Sequence, residues 1–133
     1  MSITLGARSL SRLNGVNPAL VKVVMRAAEI SSIDFAVIEG MRTVERQKEL
    51  VAAGASKTMK SRHITGHAVD LAPCVNGEIR WDWPLYKQLA PIIKQAAKDV
   101  GVTIEWGGDW LGGFKDGPHW QLSWKAYPLG VPK

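Results

Sequence analysis

Three side chains with metal-binding chemistry lie in two short stretches of the chain. His63 and Asp70 belong to residues 61–70, and His119 follows far downstream in residues 116–119. Two imidazoles and one carboxylate are the protein ligands that a catalytic zinc takes when a fourth position stays open for water. Structural zinc sites are mostly closed by four protein ligands, often thiolates, and this chain has a single cysteine, Cys74. The residue types therefore favour a hydrolase site with one zinc ion.

Asp116 stands three residues before His119, where a short loop would bring its carboxylate near an ion without occupying the ion itself. A carboxylate in that position can take a proton from attacking water and return it to a leaving amine. Aspartate is also common in Asp-Gly-Pro turns. The spacing alone therefore supports a catalytic base and a turn cap about equally.

Strand periodicity indicates whether the first two candidate ligands can meet. Alternate residues of a strand point to opposite faces, so Asp70 shares a face with Ala68 and not with His67. Gly66 permits a bend that brings His63 back over the start of that strand, and the small Ala68 leaves room for an ion. His67 is accordingly expected to be a packed or surface histidine.

The same alternation applies to the last predicted strand. There His119 and Gln121 share one face, whereas Trp120 and Leu122 share the other and pack. His119 can therefore join His63 and Asp70 on the open face of the sheet.

Hydrophobic periodicity and capping residues predict the elements that position these side chains. Helices are expected over residues 18–30, after the Asn17 cap, over about 43–53, and over 83–100 after the Asp82 cap. Strands are expected over 34–39, 67–71, 78–81, 102–106 and 119–124, with an exposed loop over 55–62 and a Gly-rich loop over 107–118. The result is an α+β fold of about three helices around a small, mostly antiparallel sheet.

Four further residues are candidates for substrate contact. Arg42 follows a predicted strand and precedes a helix, a position from which a guanidinium can bind a substrate carboxylate or stabilise an oxyanion. A lone arginine is more often a solvated surface charge. Trp106, Asp109 and Trp110 could form a cleft wall, although tryptophans are more often part of the core.

Length and composition limit the class of protein. The 133 residues fit one domain, and Cys74 cannot form an internal disulfide and is expected to be a packed thiol. The start of the chain does not resemble a signal peptide, and no window reaches the roughly 18 apolar residues of a membrane helix. The net charge of +5 favours polyanionic partners, but the basic residues are scattered, which argues against a nucleic-acid arm.

The first stretch resembles a known family. Ser61, His63, Gly66, Ala68 and Asp70 fill every fixed place of the S-x-H-x-x-G-x-A-x-D pattern of the M15 metallopeptidases, which include D-Ala-D-Ala carboxypeptidases and L-alanyl-D-glutamate peptidases. Residues 116–119 resemble the second motif of that family, and residues 40–43 resemble a segment whose arginine contacts substrate.

The resemblance implies a fold and a set of roles. The fold is that of the D-Ala-D-Ala carboxypeptidase and hedgehog-like zinc peptidases. The zinc ligands would be His63, Asp70 and His119, and the catalytic base would be Asp116. Substrate contacts are expected from Arg42, Ser61, Trp106, Asp109 and Trp110.

Within that family the chain is most similar to small phage endolysins that cut the L-Ala–D-Glu bond of peptidoglycan stem peptides. We therefore expect residues 1–133 to be one catalytic domain without a separate wall-binding domain, and a monomer that neither binds nucleic acid nor inserts stably into a membrane. We also expect, from this resemblance, a protein that is made in the host cytoplasm without a signal peptide and acts in the periplasm after release by a holin. Alternatives are a D,D-carboxypeptidase that removes terminal D-Ala, a non-catalytic zinc-containing wall-binding module and, less well supported, a basic nucleic-acid-binding protein.

Overall fold

The computed structural model describes residues 2–54, 62–110, 115–123 and 125–127. The helices are α1 (Ala7–Arg12), α2 (Pro18–Ile30), α3 (Val44–Ala52) and α4 (Trp83–Val100). The strands are β1 (Phe35–Glu39), β2 (Ala68–Val75), β3 (Glu78–Ile79), β4 (Ile104–Trp106) and β5 (His119–Leu122), and a 3-10 turn covers Gly107–Asp109. Among these residues, no helix is both long and apolar enough to cross a lipid bilayer.

The strands form one antiparallel sheet in the order β1-β2-β5-β4, and the short β3 pairs with β2 in a hairpin. The predicted α+β class with a small antiparallel sheet is therefore confirmed. Four strands are shorter than expected: β1 begins at Phe35, β3 ends at Ile79, β4 begins at Ile104, and β5 ends at Leu122. By contrast, β2 continues to Val75, past its predicted end at residue 71. Trp124, the predicted end of β5, lies outside the described residues.

The two faces of the sheet differ in chemistry because side chains alternate along each strand. One face is apolar and joins α2 and α4 in a single core, to which the strands contribute Val37, Val69, Leu71, Trp106, Trp120 and Leu122. The opposite face carries polar residues, since Asp70 pairs with His119 across β2 and β5 while Gln121 pairs with both Ala68 and Glu105. The packing of the helices on one face thus leaves the other face for chemistry.

Capping explains the start of two predicted helices and not of the third. The Asn17 side chain accepts a hydrogen bond from the Ala19 amide at 2.9 Å, and Thr43 caps α3 through the Arg46 amide at 3.1 Å. Asp82 occupies the N-cap of α4 as expected but makes no capping hydrogen bond. Its carboxylate instead pairs with Arg80 at 2.6 Å.

Helix α1 was not predicted, and it covers the outer strand of the sheet. The Ser9 hydroxyl accepts a hydrogen bond from the Val37 amide at 3.0 Å, and Arg12 donates to the Val37 carbonyl at 3.0 Å. Both backbone groups of Val37 would otherwise be unpaired at the free edge of β1. Side chains of α1 therefore supply the hydrogen-bond partners that these edge groups lack. The same contacts protect the edge from pairing with another chain.

Two glycines let the turn between α1 and α2 approach the site. Gly66 has a φ of +74°, and a Cβ there would lie 2.4 Å from the Gly15 carbonyl oxygen. Its own carbonyl accepts a hydrogen bond from the Asn17 amide at 2.7 Å. At Gly40, a Cβ would lie 1.9 Å from the Arg12 carbonyl oxygen. A larger residue at Gly66 would push away the turn between α1 and α2, and one at Gly40 would push away the end of α1.

Replacing Gly40 with alanine is expected to lower the free energy of unfolding by about 3 kcal/mol, because the added methyl group collides with backbone rather than with a flexible side chain. Gly6→Ala is the matched control, since nothing lies within 4 Å of a Cβ at Gly6 and its φ is negative. Urea denaturation of both variants measures the difference. Equal stability of Gly40→Ala and wild type would contradict the close approach.

Candidate metal centre

The polar face brings three predicted ligands together. The His63 Nε2 lies 3.2 Å from Asp70 Oδ1, and the His119 Nδ1 lies 3.4 Å from the same oxygen. One ligand atom from each residue falls within 4.8 Å of the other two. The rings of His63 and His119 meet edge to face, with their centroids 5.1 Å apart. Both imidazoles are buried, and Asp70 is partly exposed.

The outer nitrogen of each ring is held by an oxygen atom. The His63 Nδ1 lies 2.8 Å from the Gly40 carbonyl oxygen, and the His119 Nε2 lies 2.7 Å from Gln121 Oε1. Both oxygens are acceptors, so each of these ring nitrogens carries the hydrogen and donates it. In a neutral imidazole the other nitrogen then has a lone pair. His63 thus presents Nε2, and His119 presents Nδ1, toward Asp70.

Three acceptor atoms that face one another need a positive charge between them. Two imidazole lone pairs and a carboxylate oxygen repel unless a proton or a cation lies among them. The 3.2 and 3.4 Å separations match the distance of about 3.3 Å between ligands of a tetrahedral zinc with bonds of about 2.0–2.1 Å. Both outer ring nitrogens also have the partners that usually orient zinc-bound histidines. The donor set therefore fits one zinc ion.

The environment of the centre shifts the pKa values of Asp70 and His119 in opposite directions. Burial opposes ionisation of Asp70, but the side chains of His119 and His63, which hydrogen-bond to it when the nitrogens that face it carry a proton, outweigh burial and hold the pKa of the carboxyl group below its usual range. Burial likewise lowers the pKa of His119, but the hydrogen bond and charge of Asp70 outweigh burial and raise that pKa above its ordinary value. The carboxylate therefore stays ionised and attracts a positive charge to this point.

Asp116 lies beside the three ligands and outside their group. Its amide donates to the Gly107 carbonyl at 3.1 Å, and its carbonyl accepts from the His119 amide at 3.2 Å, so the 116–119 turn holds Asp116 next to His119. Burial, followed by the negative charge of Asp70, raises the pKa of the Asp116 carboxyl group. A turn role and a chemical role are thus compatible, because the turn is made by the backbone and leaves the side chain available.

Arg42 is held from three sides rather than solvated. Its amide donates to the His63 carbonyl at 2.8 Å, which joins it directly to a candidate ligand. Its guanidinium pairs with Glu39 and donates to Gln47 Oε1 at 2.7 Å. The side chain is only 10% exposed. Gln47, which is completely buried, therefore fixes the direction of the guanidinium.

The three residues predicted to form a cleft wall differ in burial, because one is part of the core and two lie at the surface. Trp106 is buried between Trp83 and Trp120, with ring centroids 5.9 and 5.5 Å away, and its indole nitrogen donates to the Gly117 carbonyl at 2.8 Å. Trp110 is partly exposed, and its ring centroid lies 5.1 Å from that of His119. Asp109 is exposed and pairs with Lys94 at 2.7 Å.

A groove of about 640 Å³ connects these three residues. It is lined by Trp106, Asp109 and Trp110 together with Lys94, Lys98 and Glu105, among others. Trp110 also contacts His119, although none of the three convergent residues lines the groove itself. The groove places the three predicted wall residues along one continuous surface.

Three other predictions concern the residues around His63. His67 is buried, its Nδ1 lies 2.7 Å from the Thr65 hydroxyl, and it stands outside the group of three converging residues. Ser61, a substrate-binding candidate, lies outside the described residues, as do residues 55–60 of the predicted loop. The expectation that this exposed loop extends to Arg62 is wrong, because Arg62 is 2% exposed.

The physical reason for the burial of Arg62 is its hydrogen bonding to the end of the chain. Its guanidinium donates to the Leu122 carbonyl at 2.9 Å and to the Tyr127 carbonyl at 2.6 Å. A charge can be buried when carbonyl oxygens replace the water that it loses. Arg62, which directly precedes His63, therefore holds the end of β5 and the segment after it in place.

Two residues of the site were not assigned a role from the sequence. Gln121 binds the outer nitrogen of His119, and Glu105 accepts a hydrogen bond from Gln121 at 3.2 Å. The alternation of β5 placed Gln121 on the same face as His119, which was a usable signal. The sequence carried no such signal for Glu105, because its position opposite Gln121 depends on the pairing of β4 with β5.

Comparison with known proteins identifies relatives along most of the chain. The family described as phage L-alanyl-D-glutamate peptidase matches residues 1–122. The L-alanyl-D-glutamate peptidase of Escherichia phage T5 is 40% identical over 114 residues, which cover 83% of this chain and 83% of that protein. The L-alanyl-D-glutamate peptidase of Listeria phage A118 is 35% identical over 91% of this chain but only 43% of its own length.

Solved structures agree in fold. The L-Ala D-Glu endopeptidase ChiX of Serratia marcescens superposes with a TM-score of 0.87 at 45% identity, covering 94% of each chain. The vancomycin resistance D,D-dipeptidase VanXYg has a TM-score of 0.51 at 17% identity over 80% of this chain and 50% of that one, which supports the D-Ala-D-Ala peptidase-like fold alone. With the match to residues 1–122 and the 40% identity to the phage T5 protein, this chain belongs to the phage L-alanyl-D-glutamate peptidase family.

Proposed function

We propose that this protein is a zinc-dependent endopeptidase that hydrolyses the L-Ala–D-Glu bond of peptidoglycan stem peptides. Peptidase activity of this type follows from its family. The zinc ion and the roles of individual residues are the proposed part. The observation that carries them is the convergence of His63, Asp70 and His119, whose ligand atoms lie within 4.8 Å of one another on the polar face.

The three convergent residues would hold the ion, and Asp116 would move the proton. Zinc supplies a Lewis acid that activates water and polarises a carbonyl group at neutral pH. Asp116 takes a proton from the attacking water and delivers it to the D-Glu nitrogen as the peptide bond breaks. The turn that joins the Asp116 carbonyl to the His119 amide keeps this carboxylate beside the centre while leaving the coordination positions to other residues.

Arg42 would stabilise negative charge on the substrate. Its guanidinium is oriented by Glu39 and Gln47, and its backbone is bonded to His63. A fixed cation that is largely out of water interacts strongly with an oxyanion or a substrate carboxylate. Both groups are available in this substrate, since hydrolysis develops an oxyanion at L-Ala and D-Glu carries a free carboxylate.

Arg42→Lys is expected to reduce kcat/KM on purified peptidoglycan by about 100-fold, because lysine keeps the charge but loses the planar guanidinium and its fixed direction. Zinc content is expected to remain at one ion per chain. Arg46→Lys is the matched control, since Arg46 lies one turn later on α3 with an exposed side chain. Activity of Arg42→Lys equal to that of the control would remove Arg42 from the mechanism.

The groove beyond Trp110 would accommodate the rest of the substrate. Trp110, Asp109 and Trp106 line it, and Ser61 is proposed as a further contact. An aromatic side chain at the rim and charged groups along the wall suit a peptide attached to a glycan, because both apolar and polar faces must be matched. We also propose that residues 1–133 act as one catalytic domain and as a monomer. The proposed place of action is the periplasmic peptidoglycan, reached from the host cytoplasm through a holin.

Zinc titration tests the proposed cofactor. Protein treated with a chelator and then dialysed is expected to bind one zinc ion by calorimetry. Its activity on purified peptidoglycan is expected to be absent before titration and to reach its maximum at one equivalent. Full activity of the chelated protein, with no zinc detected by elemental analysis, would overturn the assignment.

A further inference from the structure

A chain of hydrogen bonds leads away from the candidate metal centre across the polar face of the sheet. The His119 Nε2 lies 2.7 Å from Gln121 Oε1, and the Gln121 Nε2 lies 3.2 Å from Glu105 Oε1. The pairing of β4 with β5 places Glu105 directly opposite Gln121. His119 and Gln121 are both buried, whereas Glu105 is partly exposed. These bonds join three residues of two neighbouring strands in one line.

The direction of each bond in this chain depends on Glu105. An ionised carboxylate only accepts hydrogen bonds, so Gln121 must turn its NH2 group toward Glu105. The amide oxygen of Gln121 then faces His119, which must donate from Nε2. The remaining lone pair of His119 is on Nδ1, the atom that lies 3.4 Å from Asp70. The Glu105 carboxylate, two hydrogen bonds away, therefore determines which nitrogen of His119 is available to a metal.

We propose that Glu105 is a positioning residue that acts through Gln121 to keep His119 in the tautomer required for zinc binding. The inference rests on the proposed function, because it takes the ion to be held by His63, Asp70 and His119. It assigns Glu105 no contact with substrate or metal. Its role is to set the orientation of a side-chain amide that would otherwise have two nearly equivalent orientations.

Gln121 without its carboxylate partner can rotate by half a turn about the bond to its amide. Its NH2 group then faces the His119 Nε2, which must accept rather than donate. The hydrogen of a neutral His119 moves to Nδ1 in that arrangement and blocks the atom that faces Asp70. Zinc binding must then restore the first orientation at a cost in free energy. Outer partners of metal-bound histidines typically change metal affinity by about 10- to 100-fold.

A buried positive charge interacts with Glu105. The buried guanidinium of Arg62 interacts electrostatically with Glu105 and is fastened to the carbonyl of Leu122, the residue after Gln121. Arg62 also directly precedes His63. Arg62 therefore places a positive charge near Glu105 and is bonded to the strand that carries Gln121 and His119.

The test compares a variant that removes the Glu105 carboxylate with a double variant that exchanges the side chains of residues 105 and 121. Glu105→Leu removes the acceptor and is expected to weaken zinc affinity by about 10- to 100-fold in a chelator competition. The double variant Glu105→Gln with Gln121→Glu places the carboxylate next to His119 and the amide on β4, so His119 still donates from Nε2. Its zinc affinity is expected to remain within about threefold of wild type. Glu29→Leu, on the exposed surface of α2, is the control for the apolar replacement.

A second measurement separates positioning from a structural contribution. In the metal-free protein, at a pH above the pKa of His119, the His119 Nε2–H resonance is expected in wild type and in the double variant, and it is expected to be lost or broadened in Glu105→Leu. Unfolding of the metal-free proteins is expected at similar denaturant concentrations. If Glu105→Leu does not fold, the single variant Glu105→Gln replaces it. Its zinc affinity is expected to fall, but by less than is expected for Glu105→Leu.

The outcomes also distinguish this inference from the proposed function. Wild-type zinc affinity together with a sharp Nε2–H resonance in Glu105→Leu, or in Glu105→Gln where that variant replaces it, would overturn the positioning role and leave the zinc site intact. Loss of zinc from the double variant as severe as that of Glu105→Leu would also overturn it, because the restored acceptor would have had no effect. Failure of the wild-type protein to bind zinc would instead refute the proposed function.

Discussion

Asp116→Asn is expected to reduce turnover on purified peptidoglycan by about 10³-fold while one zinc ion stays bound. Asparagine has nearly the same shape as aspartate and keeps the backbone bonds to Gly107 and His119. It cannot take a proton from water at neutral pH. The three convergent ligands do not include Asp116, so metal content is expected to be unchanged. Release of soluble stem peptides, followed beside zinc analysis of the same sample, measures both quantities.

The control for this substitution is Asp99→Asn. Asp99 lies on α4, where it pairs with Arg26 at the surface, and its replacement removes a carboxylate without approaching the site. Activity close to wild type is expected for it. Wild-type turnover in Asp116→Asn would show that the turn, and not the carboxylate, is the contribution of this residue.

Replacing either candidate histidine ligand is expected to remove both zinc and activity. His63→Ala and His119→Ala each leave two of three ligands and break a contact with Asp70. We expect zinc content well below one ion per chain and a loss of turnover of about 10³-fold or more, as follows from losing several kcal/mol of electrostatic stabilisation. Elemental analysis and the same peptidoglycan assay measure the two effects.

His67→Ala provides a matched control within the same segment. The chain has three histidines, and His67 alone lies outside the convergent group, bonded to the Thr65 hydroxyl. Some loss of stability is expected because His67 is buried, but zinc content is expected to remain at one ion. Loss of zinc from His67→Ala with retention in His119→Ala would contradict the ligand assignment.

Local signals predicted the elements that carry the site. Helix α2 begins and ends where the Asn17 cap and the apolar spacing indicate, and α4 covers the predicted residues. Side-chain alternation on two strands was enough to place Asp70 and His119 on one face, because that face is set by a period of two residues. The class of the fold follows from the same local patterns.

Features that depend on distant pairing could not be predicted from local patterns. Helix α1 is only six residues long. It is held in place by hydrogen bonds between Ser9 and Arg12 and the backbone of Val37, more than 20 residues later in the chain. Arg62 resembles part of an exposed basic loop until Leu122 and Tyr127 supply its partners. In each case the deciding partner comes from an element that sequence spacing does not identify.

The central claim is metal-dependent cleavage between L-Ala and D-Glu. Mass spectrometry of the products from Gram-negative peptidoglycan, incubated with zinc-loaded and with chelated protein, tests it most directly. The predicted result is stem peptides with a free D-Glu amino terminus, released only by the zinc-loaded protein. Release of terminal D-Ala without any new D-Glu amino terminus, or the same products from the chelated protein, would contradict it.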